Sequence, residues 1–171
     1  MSKFLRLTAL AATAAVAFTA TQAAAAPVNA TQNATATARI LRPLTLTSTQ
    51  NLDLGTIVLS GTAPYTATVG IDKTGTFTCD PNVTCSGTPT VAIYNVSGTK
   101  SQPVTIAAGN VTLNGSNGGT LTLVPSFNST VNLTNSGVPG TDFNVGGSIT
   151  FADTVTDGVY TGTFAVTADY Q

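Results

Sequence analysis

The residues that could carry chemistry in this chain are two cysteines and seven aspartates, and the chain has no histidine. Cys79 and Cys85 bracket the turn sequence DPNVT. In an oxidising compartment this spacing predicts a small-loop disulfide. A zinc site would need further thiolate or imidazole ligands, which the chain does not contain. We therefore expect a structural disulfide, no metal and no cofactor.

The aspartates show no pattern typical of catalysis. Paired-carboxylate hydrolysis needs an acid and a base or nucleophile about 5 to 9.5 Å apart, and nothing in the sequence pairs them. Five of them lie beside turn residues, where carboxylates cap the backbone, namely Asp53, Asp72, Asp80, Asp142 and Asp157. A serine triad lacks its histidine, and no glycine-rich loop precedes a helix. The sequence predicts that the protein is not an enzyme.

Residues 158–171, GVYTGTFAVTADYQ, form the most regular element of the chain. Apolar and aromatic residues occupy one parity and threonines dominate the other, which is the two-residue period of a half-buried strand. The candidate apolar face contains Tyr160, Phe164, Val166 and Tyr170. Because terminal strands fray, we expect Tyr170 to add little to the stability of an isolated subunit.

This C-terminal stretch resembles the C-terminal motif of chaperone-usher pilins, which carry a glycine fourteen residues from the end and a penultimate tyrosine. Gly158 and Tyr170 occupy those positions here. The resemblance implies that the strand borders a groove that accepts a strand from a partner. The alternative is an ordinary closing strand of a β-sandwich.

A second two-residue pattern covers residues 28–40. Every odd position from 29 to 39 is polar, and the candidate donor residues on the other parity are Val28, Ala30, Ala34, Ala36, Ala38 and Ile40. An alanine face buries little area at roughly 25 cal/mol per Å², so this segment cannot hold strongly to its own sheet. The pattern predicts an arm that gains order by pairing, and a frayed leader before the first strand is the alternative.

The first 25 residues have the three parts of a secretory signal: a basic start, an apolar run and a small-residue cleavage zone. We predict that residues 1–25 are removed, that residues 26–41 form the arm and that residues 42–171 form one β-sandwich domain. No later stretch approaches the roughly 20 apolar residues of a membrane-spanning helix. The expected location is the periplasm, the cell surface or an extracellular filament.

The charge of the mature chain excludes one class of partner. Arg39, Arg42, Lys73 and Lys100 face seven aspartates, which leaves a net charge of about −3. Nucleic-acid binding surfaces need clustered cations. We therefore expect no nucleic-acid partner.

The rest of the chain is punctuated by turn residues and favours strands. After a strand at residues 44–47 and the apolar run 51–59, short strand-like segments occur at residues 65–71, 74–79, 90–96, 104–107, 111–113, 120–124, 130–133 and 148–151. Residues 114–119, NGSNGG, are the clearest hairpin connection. The pattern predicts an all-β, antiparallel, immunoglobulin-like or pilin-like β-sandwich with an N-terminal extension strand.

Three segments in order, ATARILRPLTLTSTQNLDLGTI, VTLNGSNGGTLTLVPSF and GVYTGTFAVTADYQ, are similar to the small bacterial secreted family catalogued as domain of unknown function 4402. The resemblance implies an exported, pilin-like β domain, with the spore-coat U and archaic chaperone-usher pilins as more distant relatives. The neighbouring cysteines depart from the classical pilin pattern, in which a disulfide joins the first strand to a later one.

These patterns predict an exported structural subunit that self-associates head to tail by strand addition into surface filaments or fimbriae. A periplasmic chaperone and an usher are the candidate partners. The alternative is a monomeric secreted or surface binding module, adhesin-like or carbohydrate-binding, that uses loops such as residues 114–119 or 136–141. In that case the arm should be dispensable.

Overall fold

The computed structural model describes residues 31–171, and this part of the chain is all-β. No helix long and apolar enough to span a membrane occurs among these residues. The strands are, in chain order, β1 (Thr45–Gln50), β2 (Thr56–Leu59), β3 (Thr66–Ile71), β4 (Phe77–Cys79), β5 (Val83–Ser86), β6 (Ala92–Ser97), β7 (Pro103–Ala108), β8 (Val111–Gly115), β9 (Thr120–Phe127), β10 (Thr130–Asn132), β11 (Thr141–Ala152), β12 (Tyr160–Thr161) and β13 (Val166–Tyr170).

The largest sheet is built around β11. Its strand order is β1-β6-β11-β9-β8-β12, and β3 also pairs with β11 and with β4. Along one edge β11 changes its partner: residues 141–145 pair with β6 and residues 147–152 pair with β3. At Gly146, between the two partners, a Cβ atom would clash with the backbone of Ile71 and Asp72. The two backbones therefore approach so closely that only glycine fits there.

Two smaller sheets complete the fold. One has the order β10-β7-β13, and the other consists of β2 and β5 alone. All strand pairs in the three sheets are antiparallel. The chain thus forms the antiparallel β-sandwich that the sequence predicts, and the predicted hairpin at residues 114–119 is confirmed as the connection between β8 and β9.

Most of the buried side chains belong to one of two clusters. The first core contains Ala67, Val69, Val83, Val111, Leu121, Leu123, Ile149 and Phe151. The second core contains Ala92, Val96, Val104, Ile106, Val131, Leu133, Phe143 and Val145. Leu52 and Phe164 pack against both cores, so these two side chains close the seam between them.

The C-terminal stretch differs from the single strand expected from its alternation. It consists of two strands, β12 on the main sheet and β13 on the three-stranded sheet, with residues 162–165 between them. The crossing places Phe164 at the seam and lets Val166 pack against the second core. Each half thus covers a different core, which a straight strand within one sheet could not do.

The structure divides into a compact unit, Arg39–Gln171, and a separate N-terminal unit. Of the arm residues predicted from the sequence, Val28 and Ala30 lie outside the described residues. The described arm residues Ala34, Ala36 and Ala38 are exposed and belong to no strand. Within the compact unit, the side chain of Ile40 is 90% exposed, which is unusual for a large aliphatic residue.

Candidate functional site

An open groove of about 1220 Å³ runs along the compact unit. Its first wall is formed by residues 50–59 and its second wall by residues 155–164. The two walls are about a hundred positions apart in the chain. The floor comes mainly from the first core and the adjoining strands, through Ala92, Tyr94, Leu121, Leu123, Ile149 and Phe151.

Each wall contains a strand with one free edge. Among the described strands, β2 pairs only with β5, and β12 pairs only with β8. Each strand therefore keeps an edge of backbone N–H and C=O groups without a strand partner. Such an edge is a template for pairing with another strand.

Exposed apolar side chains occur on both walls. Val58 and Leu59 on the first wall are 53% and 42% exposed, and Val159 on the second wall is 68% exposed. Exposed large aliphatic side chains that line a groove are typical of an interaction site. The sequence contained a signal for this feature, because the run Ile57-Val58-Leu59 breaks the alternation that a strand with one solvated face should show.

The groove is acidic. Asp53 and Asp157 line it, and no lysine or arginine lines it in the described part of the chain. The Asp53 carboxylate accepts a hydrogen bond from the backbone N–H of Gly55 at 2.8 Å, and the Asp157 carboxylate accepts one from the Asn117 amide at 3.4 Å. The groups that donate these two bonds are uncharged.

Three residues of the predicted C-terminal motif lie in the groove. Gly158, Tyr160 and Phe164 are on the second wall. Gly158 has a φ of 147°, and a Cβ atom on it would lie 2.9 Å from the Ser116 hydroxyl, so this turn requires glycine. The Tyr160 hydroxyl donates to the carbonyl oxygen of Thr156 at 2.6 Å, which orients the ring beside the groove.

The other two motif residues, Val166 and Tyr170, lie outside the groove lining and pack against the second core. The Tyr170 hydroxyl donates to the carbonyl oxygen of Arg42 and accepts from the backbone N–H of Thr99, both at 2.7 Å. It therefore ties the C-terminus to two distant segments. The expectation that Tyr170 frays with the terminus is wrong, because β13 pairs with β7 up to this residue.

Replacing Tyr170 by phenylalanine keeps the ring and removes both hydrogen bonds. We expect a loss of about 1 to 2 kcal/mol in the free energy of unfolding, because the part-buried N–H of Thr99 is left without its acceptor. Urea denaturation followed by circular dichroism measures this change in the free energy of unfolding. The matched control is Tyr160→Phe, whose hydroxyl bond is exposed and should matter much less. Equal effects of the two substitutions would contradict the anchoring role of Tyr170.

The predicted disulfide is confirmed between Cys79 and Cys85. It joins β4 of the main sheet to β5 of the two-stranded sheet, and both cysteines pack against the first core. Because β5 is the strand partner of β2, the disulfide also supports the first wall of the groove. The two cysteines have a structural role, since both sulfur atoms take part in the disulfide bond.

Asp72 and Asp80 bond to their own loops, whereas Asp142 lies in β11 and accepts a hydrogen bond from the Asn95 amide of β6 instead of capping a turn. The Thr74 hydroxyl and the backbone N–H of Thr76 donate to Asp72 and hold the pKa of its carboxyl below the ordinary value. The backbone N–H of Asn82 lowers the pKa of the Asp80 carboxyl in the same way. These bonds match the capping role expected from the sequence. Residues 31–171 contain no cluster of three potential metal ligands.

Aromatic side chains near the groove pack mainly against one another. The rings of Tyr94 and Phe143 are stacked with centroids 5.7 Å apart, and Phe164 meets Tyr94 edge-on at 6.3 Å. Phe143 is buried. These rings therefore form cross-strand packing under the groove instead of a flat exposed face of the kind that stacks on sugars.

Comparison with known proteins identifies a family and no individual relative. No curated protein and no solved structure is significantly similar to the chain. The profile of the family described as Domain of unknown function (DUF4402) matches residues 44–170, which is most of the chain and nearly all of the compact unit. The protein therefore belongs to the Domain of unknown function (DUF4402) family.

Proposed function

We propose that the protein is an exported structural subunit that assembles head to tail, with the arm of one copy, residues 26–41, added as a strand in the groove of the next. The observation that carries this proposal is the groove itself. It lies between two strands that each have a free edge, and exposed aliphatic side chains stand on both walls. An added strand would satisfy the edges and cover the apolar surface together.

The arm has the length and pattern that such a strand needs. The alternating segment, residues 28–40, would span roughly 40 Å when extended at about 3.3 Å per residue, which is long enough to lie beside all of the second wall, residues 155–164. One parity of the arm is apolar except at Gln32, so it can face the floor while the polar parity faces solvent. The described arm residues pair with no strand and are free to do so.

The geometry of the contact supports a filament. The arm and the groove are different surfaces of the same chain, so the contact is heterologous, and a heterologous contact that does not close into a ring propagates. Before assembly, the free edges and the apolar rim would be liable to aggregate. The candidate partners are therefore a periplasmic chaperone, which would cover the groove and prevent aggregation, and an usher, which would receive the subunit.

The test is a pair of aspartate substitutions in the arm of the mature chain. Ala36→Asp places a charge on the parity that faces the groove and should abolish polymers, because a carboxylate buried without a partner is strongly unfavourable. Thr37→Asp adds the same charge on the solvent parity and should assemble like the parent. Electron microscopy and sedimentation velocity measure the outcome.

A deletion of residues 26–38 tests the same proposal by removing the arm and leaving the compact unit. The compact unit Arg39–Gln171 contains both cores, so we expect it to stay folded and to remain monomeric. Polymers formed by the truncated chain, or equal assembly by both aspartate variants, would exclude the arm as the added strand. A parent chain that stays monomeric at all concentrations would favour a monomeric binding module instead.

A further inference from the structure

One end of the groove combines apolar surface with negative charge. After β2 the first wall leads to Tyr65, whose carbonyl oxygen accepts a hydrogen bond from the backbone N–H of Asp153 at 3.1 Å. In the chain, Tyr65 follows the first wall and Asp153 directly precedes the second wall. The bond between them therefore brings the residue-59 end of the first wall and the residue-155 end of the second wall to the same end of the groove. We call this the Asp157 end and define it by Leu59, Asp157 and Val159.

The chemistry of the Asp157 end selects a particular kind of strand. Leu59 and Val159 are large, aliphatic and exposed, and they need an apolar side chain between them. The exposed Asp157 carboxylate lies in the same wall and has only a long bond to the Asn117 amide. A fitting segment therefore carries a large apolar residue directly next to a cation.

The arm carries this pair at residues 39 and 40. Between residues 30 and 40, Ile40 is the only large aliphatic residue on the apolar parity, and it is 90% exposed. Arg39 precedes it. Because neighbouring residues of a strand point to opposite faces, an Ile40 side chain directed into the groove leaves the guanidinium of Arg39 on the solvent side, and the Asp157 carboxylate is also exposed to solvent.

The position of Arg39 near its own domain decides which carboxylate it meets. Leu44 already packs against the second core of its own subunit, and five residues of extended chain reach only about 17 Å. A folded domain cannot enter the groove, so Arg39 must lie close to an open end of it. Asp157 lies near the start of the second wall and its carboxylate has only a long bond to the Asn117 amide, whereas the Asp53 carboxylate is held by the backbone N–H of Gly55 at 2.8 Å.

On the basis of the proposed function, we infer that Arg39 of one copy forms an ion pair with Asp157 of the next, beside an apolar contact of Ile40 with Leu59 and Val159. This anchor fixes the polarity of the added strand. Its residue-40 end lies at the Asp157 end of the groove, so the arm runs antiparallel to the second wall. It also makes assembly sensitive to salt, since an exposed ion pair is screened.

The test is a charge exchange in the full mature chain. At low salt, Arg39→Asp or Asp157→Arg alone should raise the concentration at which polymers form by about three- to ten-fold, because attraction becomes repulsion. The double variant should return this concentration to within about two-fold of the parent. In about 0.5 M NaCl the four proteins should differ little. Sedimentation and light scattering measure the threshold.

Two further variants serve as controls and separate the outcomes. Asp53→Arg combined with Arg39→Asp should not restore assembly. If this double variant assembles like the parent and the double variant with Asp157→Arg does not, the inferred polarity is wrong. If the charge variants all assemble like the parent while Ala36→Asp abolishes polymers, the anchor is wrong and strand addition stands. If Ala36→Asp also assembles like the parent, the proposed function itself fails.

Discussion

Replacing Phe164 by alanine should lower the free energy of unfolding by about 3 kcal/mol and abolish assembly in the same protein. The ring packs against both cores, meets Tyr94 edge-on and forms part of the second wall of the groove. Its removal would leave a cavity at the seam that neither sheet can close without moving the other. Urea denaturation of the monomer measures the first effect, and electron microscopy measures the second.

The control for Phe164 is Val159→Ala on the same wall. Val159 is 68% exposed and packs against neither core, so its truncation should change the stability of the monomer by less than about 0.5 kcal/mol. It should still weaken assembly, because it removes apolar surface from the Asp157 end. A Phe164→Ala protein as stable as the parent would show that the seam is not packed as described. A Val159→Ala protein that assembles like the parent would remove this side chain from the contact.

Replacing Gly146 by alanine should cost about 3 kcal/mol or more, at the upper end of the overpacking range. The added methyl would meet the carbonyl oxygen of Ile71 and the backbone of Asp72, which cannot rotate away as a side chain can. Relief would require β3 to separate from the central strand β11. Thermal unfolding followed by circular dichroism measures the loss.

Gly109→Ala is the matched control, because no atom lies within 4 Å of the added methyl and the backbone needs no left-handed conformation there. Its effect should be neutral or slightly stabilising, since alanine restricts the unfolded chain. Equal melting temperatures for the two variants would contradict the close approach of β3 and β11. A fall confined to Gly146→Ala would support it.

Several features of the protein follow from the sequence because their causes are local. The disulfide joins Cys79 to Cys85 across a five-residue turn, so its partners are neighbours in any compact fold. The hairpin at residues 114–119 depends on glycines at positive φ, which Gly118 and Gly119 supply. Alternation and turn residues likewise predict an antiparallel β-sandwich, and the structure has that architecture.

Other features depend on which strands meet. The first half of β11 and the short strand β5 have weak local patterns and are strands because β6 and β2 pair with them. The alternation of the C-terminal stretch is continuous, yet its two halves lie on different sheets because each core needs its own cover. A pattern of period two specifies which side chains share a face and contains no information on which sheet provides the partner.

The groove is the clearest case of this limit. The exposed arm and the motif residues Gly158, Tyr160 and Phe164 could be singled out from their spacing, and the structure places these three beside the groove. The opposite wall, residues 50–59, could not be assigned to it, because nothing local links segments about a hundred positions apart. Tyr170 shows the same limit, since its hydroxyl partners at Arg42 and Thr99 come into reach only when the strands have paired. Sequence periodicity thus determined the faces of the strands, and only tertiary pairing decided which edges stayed free. Strands pair through the same backbone N–H and C=O groups whatever their separation in the chain, so the sequence does not specify the partner of an edge.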